Sequence, residues 1–137
     1  MTFVDASAIV AILTREPEAD LLTDALEAAR DPITSPIAVF EAALGLRGKR
    51  HASVKEARAD VSDFLTLAGV ALVPITAPDV ETALDAFARY GKGTGHPAQL
   101  NLGDCFAYAV ALNRRTALLF KGGDFSKTDI GSPSGAA

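Results

Sequence analysis

Short runs that are apolar at every position alternate along this chain with longer stretches in which apolar residues recur every three or four. The first pattern predicts buried strands and the second predicts helices with one packed face. Thr2-Phe3-Val4 forms the first such run, and residues 7–13 predict a helix after it. Pro17 opens a second helix over residues 18–29, with Leu21, Leu22, Ala25 and Leu26 on one stripe. Pro32-Ile33-Thr34 is a second short strand. Ser35-Pro36 then supplies an N-cap and a first-turn proline, starting a helix to about Arg47 whose stripe is Ile37, Phe40, Glu41 and Leu44. Residues 54–68 predict another helix, stopped by Gly69 as C-cap, and residues 70–75 a third strand. A helix over 78–90 closes at Gly91, and residues 91–103, with four glycines and a proline, form a loop. After Asp104 the segment Cys105-Phe106-Ala107-Tyr108-Ala109-Val110-Ala111-Leu112 carries no charge. A helix apolar all round is a buried helix. Residues 116–120 predict the fourth strand, and Lys121-Gly122-Gly123 a turn.

Strands apolar on both faces, alternating with helices, predict an α/β fold with a central parallel sheet between helical layers. At 137 residues the chain is expected to form one domain, with only residues 131–137 expected to be a disordered tail. In such sheets the ligand crevice lies beyond the carboxyl ends of the strands.

Composition narrows the classes of function. Hydrophobic residues make up 49% and charged residues 22%, an ordinary globular balance. A single cysteine allows no intramolecular disulfide, which suits a reducing cytoplasm. The N-terminus lacks a basic region before its apolar run, and no uncharged run reaches the length of a membrane span; a cytoplasmic protein without membrane association is expected. The net charge of −4, from 17 acidic and 13 basic residues, argues against a broad basic face coating nucleic acid. It permits a catalyst that handles phosphodiesters through bound cations.

Four acids are placed for such chemistry. Asp5 follows the first strand, Asp124 follows the fourth after a turn, Glu41 interrupts the apolar stripe of its helix, and Asp104 opens the buried helix. Each also has an ordinary reading: Asp5 and Asp124 as strand-to-turn residues, Asp104 as a first-turn acid on a helix dipole, Glu41 as a surface residue on a slightly rotated helix. Together those readings sit poorly, because carboxylates gathered within a few ångströms repel one another unless a cation is present. A hard divalent ion with oxygen ligands removes the conflict, so Asp104 is read as a metal ligand held by the helix behind it.

The chain has no nucleophile elbow, phosphate loop, dinucleotide fingerprint or zinc spacing. His51, among basic residues, is expected to be exposed, and His96 to order its loop or to touch substrate. Cys105 is expected in the core, since the adjacent carboxylate disfavours its thiolate. Tyr108, one turn beyond Asp104, is read either as orienting that carboxylate or as a core tyrosine. Ser7 could hydrogen-bond a carboxylate or phosphate, or cap its helix. Arg47, Lys49, Arg50, His51, Lys55 and Arg58 form the densest basic run, a candidate strip for phosphate groups or simply a solvated helix end.

FVDASAIVAIL, the lone Glu41, LNLGDCFAYAVAL and LLFKGGDFSKTDI, in this order, resemble the PIN-domain ribonucleases, specifically the VapC-type toxins of toxin–antitoxin pairs. The resemblance covers about residues 1–130, which it implies are a single PIN domain of three-layer α/β/α form. It implies endonucleolytic cleavage of structured RNA with Mg²⁺ or Mn²⁺, by an acidic quartet that maps to Asp5, Glu41, Asp104 and Asp124. Asp5 and Asp104 correspond to the usual metal ligands, and Glu41 and Asp124 to a second ion or the attacking water. Gly123 stands where many relatives carry a polar or acidic residue, so the fourth acid rests on Asp124. The resemblance also implies a cognate antitoxin and a homodimer. Ile9, Ile12, Leu13, Leu21, Leu22 and Leu26 on the first two helices offer apolar positions for an antitoxin segment, with an arginine inserted among Asp5, Glu41 and Asp104. Two alternatives remain at this point. A haloacid-dehalogenase-like phosphatase also places Asp after its first strand, but needs a second acid where this chain has Ser7. A non-catalytic PIN-like binding module would use the acids only to hold a structural ion.

Overall fold

The side chains of Phe3 and Val4, neighbours on one strand, enter two different cores, one on each side of the sheet. Leu118 and Leu119 divide in the same way. This is the alternation of a sheet buried on both faces, and it sets the three layers. The computed structural model describes residues 1–50 and 53–130; His51 and the expected tail at 131–137 lie outside them.

The strands are β1 (Thr2–Val4), β2 (Pro32–Thr34), β3 (Ala71–Leu72) and β4 (Ala117–Leu119). They form one parallel sheet in the order β3-β2-β1-β4. The helices are α1 (Ala6–Leu13), α2 (Ala19–Ala28), α3 (Pro36–Arg50), α4 (Val54–Ala68), α5 (Ala77–Tyr90) and α6 (Leu102–Asn113), with a 3₁₀ turn at Phe125–Lys127. α1 to α4 supply the core beside Val4 and Leu119, through residues such as Ile9, Leu22, Leu46 and Val61. α5 and α6 supply the other core, around Phe3, Leu118 and Phe120.

Local chemistry sets most element ends. Ser35 Oγ accepts the Ala38 N–H at the start of α3, and Ser53 accepts the Glu56 N–H at the start of α4. Gly69 ends α4 with φ 68°, the left-handed conformation that glycine adopts at least strain. Capping boxes open α5 (Thr76 with Asp79) and α6 (Asn101 with Asp104).

Three expectations need correction. β3 is shorter than residues 70–75: it pairs with β2 only through Ala71 and Leu72, and both are exposed. In α2 the buried stripe is Leu22 and Leu26, while Leu21 is exposed. In α3 the face packed inward is Ala38, Ala42 and Leu46, so the helix is rotated from the predicted stripe. Phe40 and Leu44 consequently face solvent, at 65% and 42% exposure. Close packing accompanies this rotation: a Cβ on Gly45 would lie 3.1 Å from Val10 Cγ2, so α3 approaches α1 closely at that glycine.

Candidate active site

Because the sheet is parallel, the end of β1 and the start of α6 meet at its carboxyl edge. The Asp5 N–H, first beyond β1, bonds to the carbonyl of Leu119 on β4. Its carboxylate is buried and caps α1: Oδ2 accepts the Ser7 backbone N–H at 3.0 Å and the Ser7 hydroxyl at 2.6 Å. Ser7 therefore holds the Asp5 carboxylate, while Asp5 itself is the cap. The Ser7 oxygen also accepts the Lys121 N–H at 3.0 Å, tying the turn after β4 to the same carboxylate.

Asp104 is the third residue of α6, and its Oδ2 accepts the Asn101 N–H at 3.0 Å. It is thus a first-turn capping acid and also a pocket acid. Glu41 approaches from α3 and lies directly over Gly103: a Cβ there would sit 2.0 Å from Glu41 Oε2 and 2.2 Å from its Cδ. The glycine is what lets a carboxylate from another helix reach the mouth of α6. Asp5, Glu41 and Asp104 line one pocket of about 300 Å³, with Ala6, Ser7, Val10, Glu16, Lys49 and Lys121.

Electrostatics set these three acids apart. Burial pushes Glu41 up to about 7, with the charges of Asp5 and Asp104 adding to it, and no hydrogen bond offsets the shift. Asp104 is pushed up to about 6, mainly by burial, against the Asn101 hydrogen bond and with help from Asp5 and Asp124. Asp5 is raised by burial, with the Ser7 hydrogen bonds opposing. Three carboxylates that repel one another, one with no hydrogen-bond partner among the described residues, form a donor set suited to a hard cation. Among the described residues, no three His, Cys, Asp or Glu side chains close tightly enough to grip an ion by themselves.

Asp124 stands apart from the other three. It is exposed on the turn after β4 and does not line the pocket, although its charge reaches Asp104. Tyr108 does not orient Asp104; its hydroxyl donates to Asp129 Oδ1 at 2.5 Å, and its ring packs against Tyr90. His96 orders its loop, accepting the Ala98 N–H at Nδ1 and packing edge-on to Tyr90. Cys105 is buried, its thiol pushed up to about 11 by burial and by Asp104, as expected of a core residue.

The basic run divides. Arg47, Lys55 and Arg58 are exposed. Arg50 donates to the Leu13 carbonyl and pairs with Asp60. Lys49 turns into the pocket and pairs with Glu16 at 2.9 Å. Glu16 and Lys121, which no sequence signal singled out for the pocket, also line it. Their only trace in the sequence is a charge beside a proline and a charge in a glycine turn.

The family model for the PIN domain matches residues 2–131. A VapC ribonuclease of Rhizobium meliloti is 45% identical, across 96% of this chain and 100% of that protein. Ribonuclease VapC28 of Mycobacterium tuberculosis is 38% identical, across 93% of each. Among solved structures, Mycobacterium tuberculosis VapC20, described as a sarcin–ricin loop cleaving toxin, superposes with a TM-score of 0.74 at 17% identity, covering 95% of this chain and 96% of that one. A toxin–antitoxin complex from Klebsiella pneumoniae gives 0.69 at 20% identity, covering 98% of each. At those identities the two structures bear on the fold alone, a parallel sheet between helical layers. The phosphatase alternative falls with these matches, and the chain belongs to the PIN-domain family, among its VapC-type ribonucleases.

Proposed function

We propose that this chain is a Mg²⁺-dependent endoribonuclease, the toxin of a toxin–antitoxin pair, acting in the cytoplasm on structured RNA such as tRNA or rRNA. The observation that carries this reading is the trio of Asp5, Glu41 and Asp104, delivered from three elements to one pocket, with Glu41 raised to about 7 and given no hydrogen bond among the described residues. The relatives named as ribonucleases, and the neighbour described as cleaving the sarcin–ricin loop, support the substrate class. Among the described residues no helix is long and apolar enough to cross a membrane.

Asp5 and Asp104 are assigned as metal ligands. Ser7 and Asn101 each occupy one oxygen of these carboxylates, fixing their orientation. When bound, Mg²⁺ (or Mn²⁺ in its place) supplies an activated water and offsets the charge developing on the phosphoryl and leaving oxygens. Glu41, with a pKa near neutrality, is suited to accept a proton from the attacking water or to orient it. Asp124 is assigned a supporting role on the Asp104 side, through its charge. The test is RNA cleavage with Mg²⁺, with EDTA, and in the Asp5→Asn, Glu41→Gln and Asp104→Asn proteins. Cleavage is expected to fall to background with EDTA and in each variant, with melting temperatures showing folded protein. Undiminished cleavage in EDTA would overturn the metal mechanism. A Glu41→Gln protein that stays as toxic as the parent would favour the non-catalytic module.

The antitoxin reading draws on the toxin–antitoxin neighbour and on a groove of about 740 Å³ in which Ile12, Leu13, Pro17 and Ala19 lie among the polar Arg15, Glu16, Asp20, Thr23 and Arg50. Ile9, Leu22 and Leu26, expected on this surface, are buried in the core, so the apolar floor is narrower than the sequence suggested. A homodimer is proposed on a different face. Phe40, Leu102, Leu84 and Phe87 are exposed, and Leu102 lines the hollow beside Phe40 as well as the one beside Leu84 and Phe87, which makes the patch continuous.

A further inference from the structure

Glu16 sits between two lysines at the rim of the acidic pocket. Its Oε2 accepts from Lys49 Nζ at 2.9 Å and from the Thr14 hydroxyl at 3.1 Å, and its Oε1 accepts from Lys121 Nζ. Lys121 also lies 3.5 Å from Glu18. These contacts hold Glu16 ionised, down to about 2, with the Lys121 hydrogen bond as the largest cause and Lys49 next. The Glu16 side chain is mostly covered, at 14% exposure, while those of Lys49 and Lys121 remain 51% and 35% exposed. An ammonium has three donors, so one hydrogen bond to Glu16 leaves each lysine able to donate to a second anion.

The lysines reach the rim from distant elements, Lys49 from the last turn of α3 and Lys121 from the turn after β4. Lys121 is also fixed through its backbone, since its N–H bonds to the same Ser7 hydroxyl that holds Asp5. One short span of chain and one hydroxyl therefore link a cation to the placement of the pocket's most buried carboxylate. The pocket is lined by four carboxylates, of which Asp5, Glu41 and Asp104 have no lysine beside them and repel a phosphodiester chain, and the two ammonium groups that line it with Glu16 offset that repulsion.

We propose that Lys49 and Lys121 form a subsite for an RNA backbone phosphate next to the scissile one, with Glu16 as the positioning residue that holds both ammonium groups at the rim. This rests on the ribonuclease reading above. The subsite takes a phosphodiester oxygen pair by charge and hydrogen bonding, without contact to a base, so it contributes affinity and register but no sequence preference. Of the basic run suggested by the sequence, Lys49 alone among the described residues lines the pocket.

The experiment measures binding of labelled bulk tRNA in Mg²⁺ over a range of salt, using a Glu41→Gln background to silence cleavage. Removing one phosphate interaction is expected to flatten the slope of log affinity against log salt by about 0.7 to 0.9. Lys49→Gln with Lys121→Gln is expected to lower affinity at least tenfold and flatten the slope by the equivalent of one or two such interactions. Lys49→Arg with Lys121→Arg is expected to keep the slope. In the otherwise native enzyme, Lys49→Gln and Lys121→Gln are expected to raise KM for RNA more than they lower kcat. Glu16→Gln keeps both cations, so its slope is expected to match the parent while KM rises. A doubly neutralised protein with unchanged slope and KM would overturn the subsite, and a Glu16→Gln enzyme with unchanged KM would overturn the positioning role. If the lysines only tie the fold together, the variants melt at lower temperature with the slope intact, which also overturns it. Failure of the parent protein to bind or cleave any RNA would instead sink the ribonuclease reading itself.

Discussion

Replacing Gly103 by alanine is expected to separate the site from the fold. The added Cβ would lie 2.0 Å from Glu41 Oε2 and 2.2 Å from both Cδ and Oε1, where ordinary contact begins at 3.4 Å. The Glu41 carboxylate must therefore retreat by more than an ångström. It can do so, because it is the end of a flexible side chain with no hydrogen bond to hold it. The backbone raises no objection, since Gly103 is the second residue of α6 and its φ is not in the left-handed region. Alanine in a helix is favoured over glycine by up to about 1 kcal/mol, so the melting temperature is expected to hold or to rise by up to about 3 °C. Misplacing a reacting group by this distance lowers rate by about 10²-fold. The assay is kcat and KM for RNA cleavage beside a thermal melt, with kcat carrying the loss. In a Glu41→Gln background the same substitution should remove nothing further, because the displaced group is already disabled. Full activity in Gly103→Ala would show that Glu41 is not needed where it stands. An unfolded variant would show that the clash falls on the backbone rather than on a mobile carboxylate.

Other outcomes follow from the same geometry. Glu41 titrates near 7 in the folded chain against an ordinary value of 4.5, so the native state holds its proton more tightly than the unfolded one. Stability from this group is then full below about 4.5 and is lost as pH rises through 7. In EDTA at pH 8, Glu41→Gln should be more stable by about 1 to 2 kcal/mol, after discounting for partial solvent exposure, and the difference should vanish near pH 4. A chemical-denaturation series that finds it constant with pH would refute the assignment. Added Mg²⁺ should raise the melting temperature of the parent more than that of Asp104→Asn at the same pH, and equal shifts would remove Asp104 as a ligand. Leu102→Glu should convert a dimer to a monomer by light scattering without lowering the melting temperature at low concentration; an unchanged dimer would move the interface elsewhere. Coexpression with the neighbouring open reading frame should yield a small copurifying protein that suppresses cleavage, and Ile12→Glu with Leu13→Glu should weaken that complex. Unaltered copurification would exclude the groove beside Pro17.

What could be read from the chain alone was whatever neighbours in sequence determine. The strands β1, β2 and β4, the caps at Ser35 and Gly69, and the uncharged run of α6 after Asp104 follow from local hydrogen bonding and periodicity, and they place Asp5 and Asp104 at one sheet edge. Periodicity also specifies that a helix has an apolar stripe, but not which neighbour covers it. Phe40 and Leu44 therefore counted toward the core, although α3 packs inward through Ala38, Ala42 and Leu46, which turns those two outward. The same rotation leaves Glu41 at the border of the pocket, where its placement depends on the missing side chain of Gly103, a residue on another helix. The pairing of Glu16 with Lys49 and Lys121 joins positions 33 and 105 apart in the chain. No local pattern encodes such a pairing, because a charge beside a turn looks the same whether it faces water or an acidic pocket. Only the folded sheet and its crossovers decide which of the two it meets.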